Sequence, residues 1–186
     1  MKKDKLYFTV ILGITLVGII IVSCEKTKTF PAIKSPVPCE YPVITDFECD
    51  EPSHPITGAL TTITNPVSGG VNTSTNVGEY TDDAIEAWDN LTIDYETTID
   101  LTTNNQLKFK FYSLKSVQVL AKLEGEGGIN KEIWSDFSQE NIWQEYSFDF
   151  SESIGEEYTK LLLFFNPTVG NGMDTYYIDD LLFEAK

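Results

Sequence analysis

After residue 42, apolar and polar residues alternate with a period of two, and clusters of Asn, Gly, Ser and Pro interrupt the alternation at short intervals. In 106–113 (QLKFKFYS), Leu107, Phe109 and Phe111 fall on one face of an extended chain and Lys108, Lys110 and Tyr112 on the other. In 116–124, Val117, Val119, Ala121 and Leu123 share one face; Gln118, Leu120, Lys122 and Glu124 share the other. In 142–150 (IWQEYSFDF), Tyr146, Phe148 and Phe150 turn one way; Trp143, Glu145, Ser147 and Asp149 turn the other. The pattern predicts further strands over 43–48, 57–63, 76–81, 91–94, 97–101, 129–134, 159–165 and 175–184, with one helical turn over 82–88. Segment 159–165 (TKLLLFF) is apolar on both faces, which suits the middle of a sheet. No segment carries a long helical stripe. Many short strands in one domain predict an all-β fold, an antiparallel jelly-roll β-sandwich. If 106–113, 116–124 and 142–150 pair with one another, one outer face gathers lysines, carboxylates, Gln118, Tyr112 and Trp143.

The N-terminus follows another logic. Residues 1–5 (MKKDK) carry three lysines, and 6–22 are uncharged and mostly apolar. The tetrapeptide Ile21-Val22-Ser23-Cys24 then resembles the lipobox of bacterial lipoproteins. That resemblance implies a signal peptide over 1–23, cleavage before Cys24 and acylation of Cys24. The competing view is a signal anchor, for which 17 residues is short. Residues 24–42 hold four prolines and read as a lipidated tether, with the domain over 43–186. The expected location is the outer membrane, lipid-anchored, at the cell surface. Cys39 and Cys49 then sit in an oxidising compartment, either paired as a disulfide or kept as two buried thiols.

Charge narrows the chemistry. The 186 residues carry 13 lysines, no arginine and 29 carboxylates, a formal charge of −16. Nucleic-acid binding needs a basic surface and is excluded. Bidentate arginine clamps are absent. The single histidine, His54, leaves no two-histidine metal site or mechanism. The leader takes three lysines and one aspartate with it, leaving 10 lysines against 28 carboxylates. Such a surface repels polyanionic glycans and favours a neutral one.

Several fragments occur in a telling order: Asp46-Phe47-Glu48, Asn65-Pro66, Gly69-Gly70-Val71-Asn72-Thr73-Ser74, Val77-Gly78, Lys110-Phe111-Tyr112-Ser113, Lys122-Leu123-Glu124, Trp143-Gln144-Glu145, Phe148-Asp149-Phe150-Ser151 and Tyr176-Tyr177-Ile178-Asp179-Asp180-Leu181. The set resembles the galactose-binding-like β-sandwich modules of Bacteroidota surface and secreted proteins, related to carbohydrate-binding modules of the family 4 and 22 type. The resemblance implies a non-catalytic, glycan-binding domain. It also implies a structural Ca²⁺ between the opening and final strands, held by Glu48 and Asp179 with Asp46 and Asp180 as neighbours. If 175–184 alternates regularly, one of Asp179 and Asp180 points inward and needs a partner.

Sugar rings present an apolar face on which an exposed aromatic ring stacks, while polar neighbours bond the hydroxyls. The candidate platform residues are Trp88, Trp134, Trp143 and Tyr112, with Lys110, Lys122 and Glu124 beside them. Lysines and glutamates on adjacent strands are equally explained as cross-strand ion pairs. No GxSxG nucleophile elbow occurs, and nothing marks out a catalytic carboxylate pair. The expected function is therefore non-catalytic binding of a neutral glucan by a surface lipoprotein serving a glycan uptake or degradation system. Its expected partners are the polysaccharide, the membrane through the lipid, an outer-membrane transporter and glycan-degrading enzymes. The alternative is an accessory lipoprotein that binds a protein partner in the outer membrane.

Overall fold

The structure, a computed structural model, describes residues 35–83, 85–137, 139–167 and 173–186. The leader, Cys24 and the first part of the tether lie outside the described residues. Among the described residues no helix is long and apolar enough to cross a membrane.

The strands form two sheets, and every strand pairing is antiparallel. The first runs in the order β3 (Leu60–Thr64), β4 (Asn76–Thr81), β11 (Thr175–Glu184), β6 (Gln106–Tyr112), β9 (Gln144–Asp149). A short β1 (Val43–Thr45) pairs with the far half of β11. The second runs in the order β2 (Ile56–Thr57), β5 (Asn90–Asp94), β10 (Tyr158–Phe165), β7 (Val117–Gly125), β8 (Asn130–Phe137). This is the expected jelly-roll β-sandwich. The apolar face of each strand turns inward, so Leu107, Phe109 and Phe111 meet Val119, Ala121, Leu161 and Leu163 in one core. Aromatic rings knit the sheets together. Phe111 of the first sheet stacks on Phe165 of the second at 5.0 Å, while within the first sheet Phe109 stacks on Phe148 at 5.8 Å. Such pairs add about 0.5–1.5 kcal/mol each beyond their buried area. Strand β10 is central in its sheet, as its two-sided apolar pattern requires.

Four expectations are corrected. The predicted strand 57–63 is two strands in different sheets. Gly58, at φ 127°, turns the corner, and a Cβ there would lie 2.6 Å from the Asn90 carbonyl oxygen. Segment 97–101 is not a strand: Ile99 and Leu101 are buried in the core, tied through the Ile99 N–H to the Tyr158 carbonyl at 2.8 Å. The described residues of 82–88 form bends and turns in place of a helical turn, with Asp83 Oδ1 accepting from the Ile85 and Glu86 N–H groups. Most consequential, β6 and β7 lie in opposite sheets, because β6 pairs with β9 and β11 while β7 pairs with β8 and β10. The outer faces of 106–113 and 116–124 therefore look in opposite directions.

The compact body begins at Ser35. Within the segment expected as tether, the Cys39 N–H donates to the Glu51 carbonyl at 2.7 Å and the Tyr41 hydroxyl to the Asp100 carbonyl at 2.9 Å. Cys39 and Cys49 are joined as a disulfide with their Cα atoms 5.5 Å apart.

Candidate functional site: an aromatic row on the second sheet

Cross-strand register builds the site. On the outer face of the second sheet, Asn90 of β5 opposes Phe164 of β10, Phe164 opposes Leu120 of β7, and Leu120 opposes Trp134 of β8. These residues form one row perpendicular to the strands. Trp88, two residues before Asn90, closes the other end: its ring meets Phe164 edge-on at 5.9 Å, and Asn90 Nδ2 donates to its carbonyl at 3.2 Å. The ends of the row are open, with Trp88 56% and Trp134 41% exposed, while Phe164 and Leu120 are buried between them. Three strand spacings make the row about 14 Å long from β5 to β8.

Polar groups flank the row on both sides. On one side Gln118 Nε2 donates to Asp136 Oδ1 at 3.0 Å, and Asn166 Oδ1 accepts from the Gln118 N–H at 2.7 Å. On the other, Thr92 Oγ1 donates to Asn90 Oδ1 at 2.7 Å. Two strands from Thr92, with Leu162 between them, lies Lys122, which pairs with Glu124 at 2.7 Å and with the directly opposite Glu132 at 3.4 Å. Glu124 foremost, and Glu132 with it, hold the Lys122 ammonium above the usual lysine range. Lys160 is likewise paired with Asp94 at 3.3 Å. Each lysine among the described residues is in an ion pair, so the cross-strand pairing explanation accounts for these charges.

The predicted residues divide between two faces. Trp88, Trp134, Lys122 and Glu124 share the face just described. Tyr112, Trp143 and Lys110 lie on the outer face of the first sheet. Trp143 and Tyr112 point outward as parity requires, yet they are only 3% and 6% exposed. The segment 65–75 covers them: Trp143 Nε1 donates to the Val67 carbonyl at 2.9 Å, and Tyr112, Trp143 and Val77 form a small separate cluster with Tyr177 and Val67 against it. They therefore offer no open surface to a sugar ring, which corrects the expectation. Lys110 is bound to Asp180. Sequence reasoning missed Phe164, Leu120 and Asn90. The usable signals were Leu120, the one apolar residue on the polar face of 116–124, and the second apolar face of TKLLLFF.

The expected calcium residues also separate. Strand β11 carries a bulge at Asp179–Asp180, with Asp180 at φ 47° and a register shift against β6 between Asp179 and Leu182. Tyr176 and Ile178 face the core before it, Leu181 and Phe183 after it. Both aspartates therefore lie on the outer side, and neither points into the core as regular alternation would require. Asp180 pairs with Lys110. Asp46 Oδ1 accepts from the Glu48 and Cys49 N–H groups at 2.9 and 3.0 Å, shaping the turn in which Phe47 takes φ 57°. Glu48 and Asp179 both border segment 72–76. Glu48 accepts from Asn76 N and Nδ2 at 2.8 and 3.2 Å. Asp179 is fully buried, and its Oδ1 accepts from the Asp180 N–H at 2.9 Å. Burial foremost, with the charge of Asp180, pushes its carboxyl up to about 6, against the side chains of Ser74 and Asn72 beside it, which favour the charged form. A buried carboxylate with no cation paired to it is a group that a hard cation would suit. Among the described residues, one trio of Cys, His or carboxylate ligand atoms lies within 4.8 Å, Cys39 with Asp46 and Cys49, and its two sulfurs are bonded to each other.

No family model matches the chain, and no curated protein matches it. Solved structures do. An exo-beta-agarase matches with a TM-score of 0.58 at 15% identity, over 77% of this chain and 25% of the agarase. A family 29 carbohydrate-binding module complexed with cellulohexaose matches with a TM-score of 0.50 at 14% identity, over 76% of this chain and 87% of the module. SGBP-B from a complex xyloglucan utilization locus in Bacteroides uniformis matches with a TM-score of 0.50 at 13% identity, over 78% of this chain and 50% of that protein. The chain thus spans about a quarter of the agarase and half of the SGBP-B chain, but most of the family 29 module. At these identities the likeness defines the class of fold, the β-sandwich found in carbohydrate-binding modules.

Proposed function

We propose that the protein binds a polysaccharide without acting on it, through the outer face of the second sheet. One observation carries this: two tryptophans stand exposed at the ends of a row whose middle, Phe164 and Leu120, is apolar and buried, so that the open rings of Trp88 and Trp134 are what the row offers to a ligand. An exposed ring costs solvation unless something covers it, and the apolar face of a pyranose does so while Asn90, Thr92, Gln118 and Asp136 meet the hydroxyls. A row across the strands with both ends open takes an internal stretch of a chain. The ligand is neutral, a glucan in the first instance. Asp94, Glu124, Glu132 and Asp136 outnumber Lys122 and Lys160 on this face, and both lysines are already paired. Similar folds in a module complexed with cellulohexaose and in a xyloglucan-locus protein support the glycan class. Two carboxylates on this face, Glu124 and Glu132, share one lysine as ion-pair partners.

We propose further that the lipobox-like Ile21-Val22-Ser23-Cys24 leads to a lipid anchor at Cys24 that holds the domain on the outer membrane at the cell surface, handing polysaccharide to a transporter or to glycan-degrading enzymes. A structural Ca²⁺ is proposed at Glu48 and Asp179, where it would hold segment 72–76 against the sheet. Binding of the purified full-length chain in detergent to a panel of neutral and anionic polysaccharides tests the reading. Retardation by a neutral glycan, lost in Trp134→Ala, is expected; binding to no glycan by the folded protein contradicts it.

A further inference from the structure

The edges of the two sheets differ in how they are closed to other chains. An edge strand offers unpaired N–H and C=O groups, and shortness or charged side chains blunt it. Strands β1 and β2 are three and two residues long. Strand β8 carries Lys131, Glu132 and Asp136, and β9 carries Glu145 and Asp149. Strand β3 carries no charge, and neither does any residue from Ile56 to Pro66. Its ladder leaves one side open. The Asn65 N–H donates to the Thr75 carbonyl at 2.8 Å, and the Thr81 N–H donates to the Ala59 carbonyl at 3.1 Å. Antiparallel alternation then gives the backbone groups of Thr61 and Ile63 to β4 and turns those of Thr62 and Thr64 away from it. Strand β3 pairs with no other described strand.

Beside this edge is a hollow of about 180 Å³. Phe47, Pro52, Ile56, Leu60 and Thr62 line it, so it joins the β3 edge to the β2 edge of the other sheet. An apolar hollow beside unpaired backbone groups suits strand addition: main-chain bonds give affinity, and the hollow takes one alternate side chain. Charge selects the strand. Asp50 and Glu51 also border the hollow, and Glu79 of β4 stands opposite Thr61. Each lysine among the described residues is paired with some other carboxylate, and none with these three. A second copy of the chain would bring the same carboxylates against them. A ladder of five residues also falls far short of the roughly 1,200–2,000 Å² that a stable dimer buries.

We infer that the free edge of β3 and the hollow beside it form a docking site for an extended, basic segment of a partner protein. The segment adds to the first sheet as a further strand, bonded to the backbone of Thr62 and Thr64. One of its apolar side chains enters the hollow, and its cationic side chains meet Asp50, Glu51 and Glu79. The site lies on a sheet edge, apart from the aromatic row, and does not rest on glycan binding.

The probe is a dye-labelled peptide of alternating lysine and valine, long enough to span β3, added to the full-length chain in detergent. Saturable fluorescence anisotropy is expected, with amide exchange at Thr62 and Thr64 slowed at least tenfold by NMR. Two controls remove the backbone bonds from either side. The same peptide N-methylated at alternate amides keeps its charge and should bind at least tenfold more weakly. Thr62→Pro should weaken binding as much. Proline takes away an N–H that β4 does not use, so the melting temperature should hold. The N-methylated peptide leaves the protein untouched and decides the matter if that variant unfolds. No saturable binding by the parent chain, or equal binding of the N-methylated peptide, overturns the inference. Self-association of the parent that Thr62→Pro abolishes, without peptide binding, assigns the edge to a second copy and also overturns it.

Discussion

The two outer faces of the sandwich carry the same kind of residues and meet different fates. Each has outward aromatics among lysines and carboxylates. On the first sheet, segment 65–75 folds over Tyr112, Trp143 and Tyr177 and turns them into a small core with its own hydrogen bond to Val67. On the second sheet no described segment covers Trp88 and Trp134, and they remain open. Direction is set by strand parity, but exposure is set by what the chain does elsewhere. Only an aromatic that is outward and uncovered is free to meet a sugar.

The largest effect should come from the covered face. Trp143→Ala removes a buried ring and leaves the Val67 carbonyl without its donor, a loss of about 3–5 kcal/mol. Urea denaturation should show it as a lower midpoint with little change in slope. A loss below 1 kcal/mol would mean that the cover is not packed as described. Calcium comes next. A cation at the proposed site, saturated at a hundred times its dissociation constant, would stabilise by about 2.7 kcal/mol. Glu48→Gln should then remove the calcium-dependent rise in melting temperature; an undiminished rise would leave Glu48 without that role.

On the open face the effect should fall on binding and spare stability. Trp134→Ala should leave stability within about 0.5 kcal/mol, as for an exposed position. It should weaken glycan binding by about 2 kcal/mol, roughly thirtyfold, as the loss of an aromatic anchor does. Titration calorimetry beside thermal melts separates the two. The smallest effect belongs to Lys122→Met. Its pairs with Glu124 and Glu132 are partly solvated, so stability should change by less than about 1 kcal/mol in urea melts.

Much of the fold was legible because alternation survives burial. Leu107, Phe109, Phe111, Tyr146, Phe148 and Phe150 all face inward as their spacing predicts. Pairing was not legible. Nothing local in 106–113 or 116–124 says that these consecutive strands enter opposite sheets, because the four-residue connection between β6 and β7 serves a hairpin or a crossover equally well. Gly58 marks a corner, but a lone glycine within 57–63 also fits a bulge. The bulge at Asp179–Asp180 was hidden for a similar reason, since a two-residue change of parity inside an apolar run leaves both readings possible. Trp88 and Trp134 were nameable from composition and context. Their being joined by Phe164 and Leu120 into one row is a property of register across three strand pairs, which only the folded sheet displays.

The account turns on whether the open aromatic row is where polysaccharide binds. The most direct measurement is the affinity of full-length chain and its Trp134→Ala variant for a neutral β-glucan, each checked for an unchanged melting temperature. Binding by the parent with a roughly thirtyfold loss in the variant is the predicted result. Equal affinity in both, with Trp88→Ala equally silent, would place the glycan elsewhere and contradict the account.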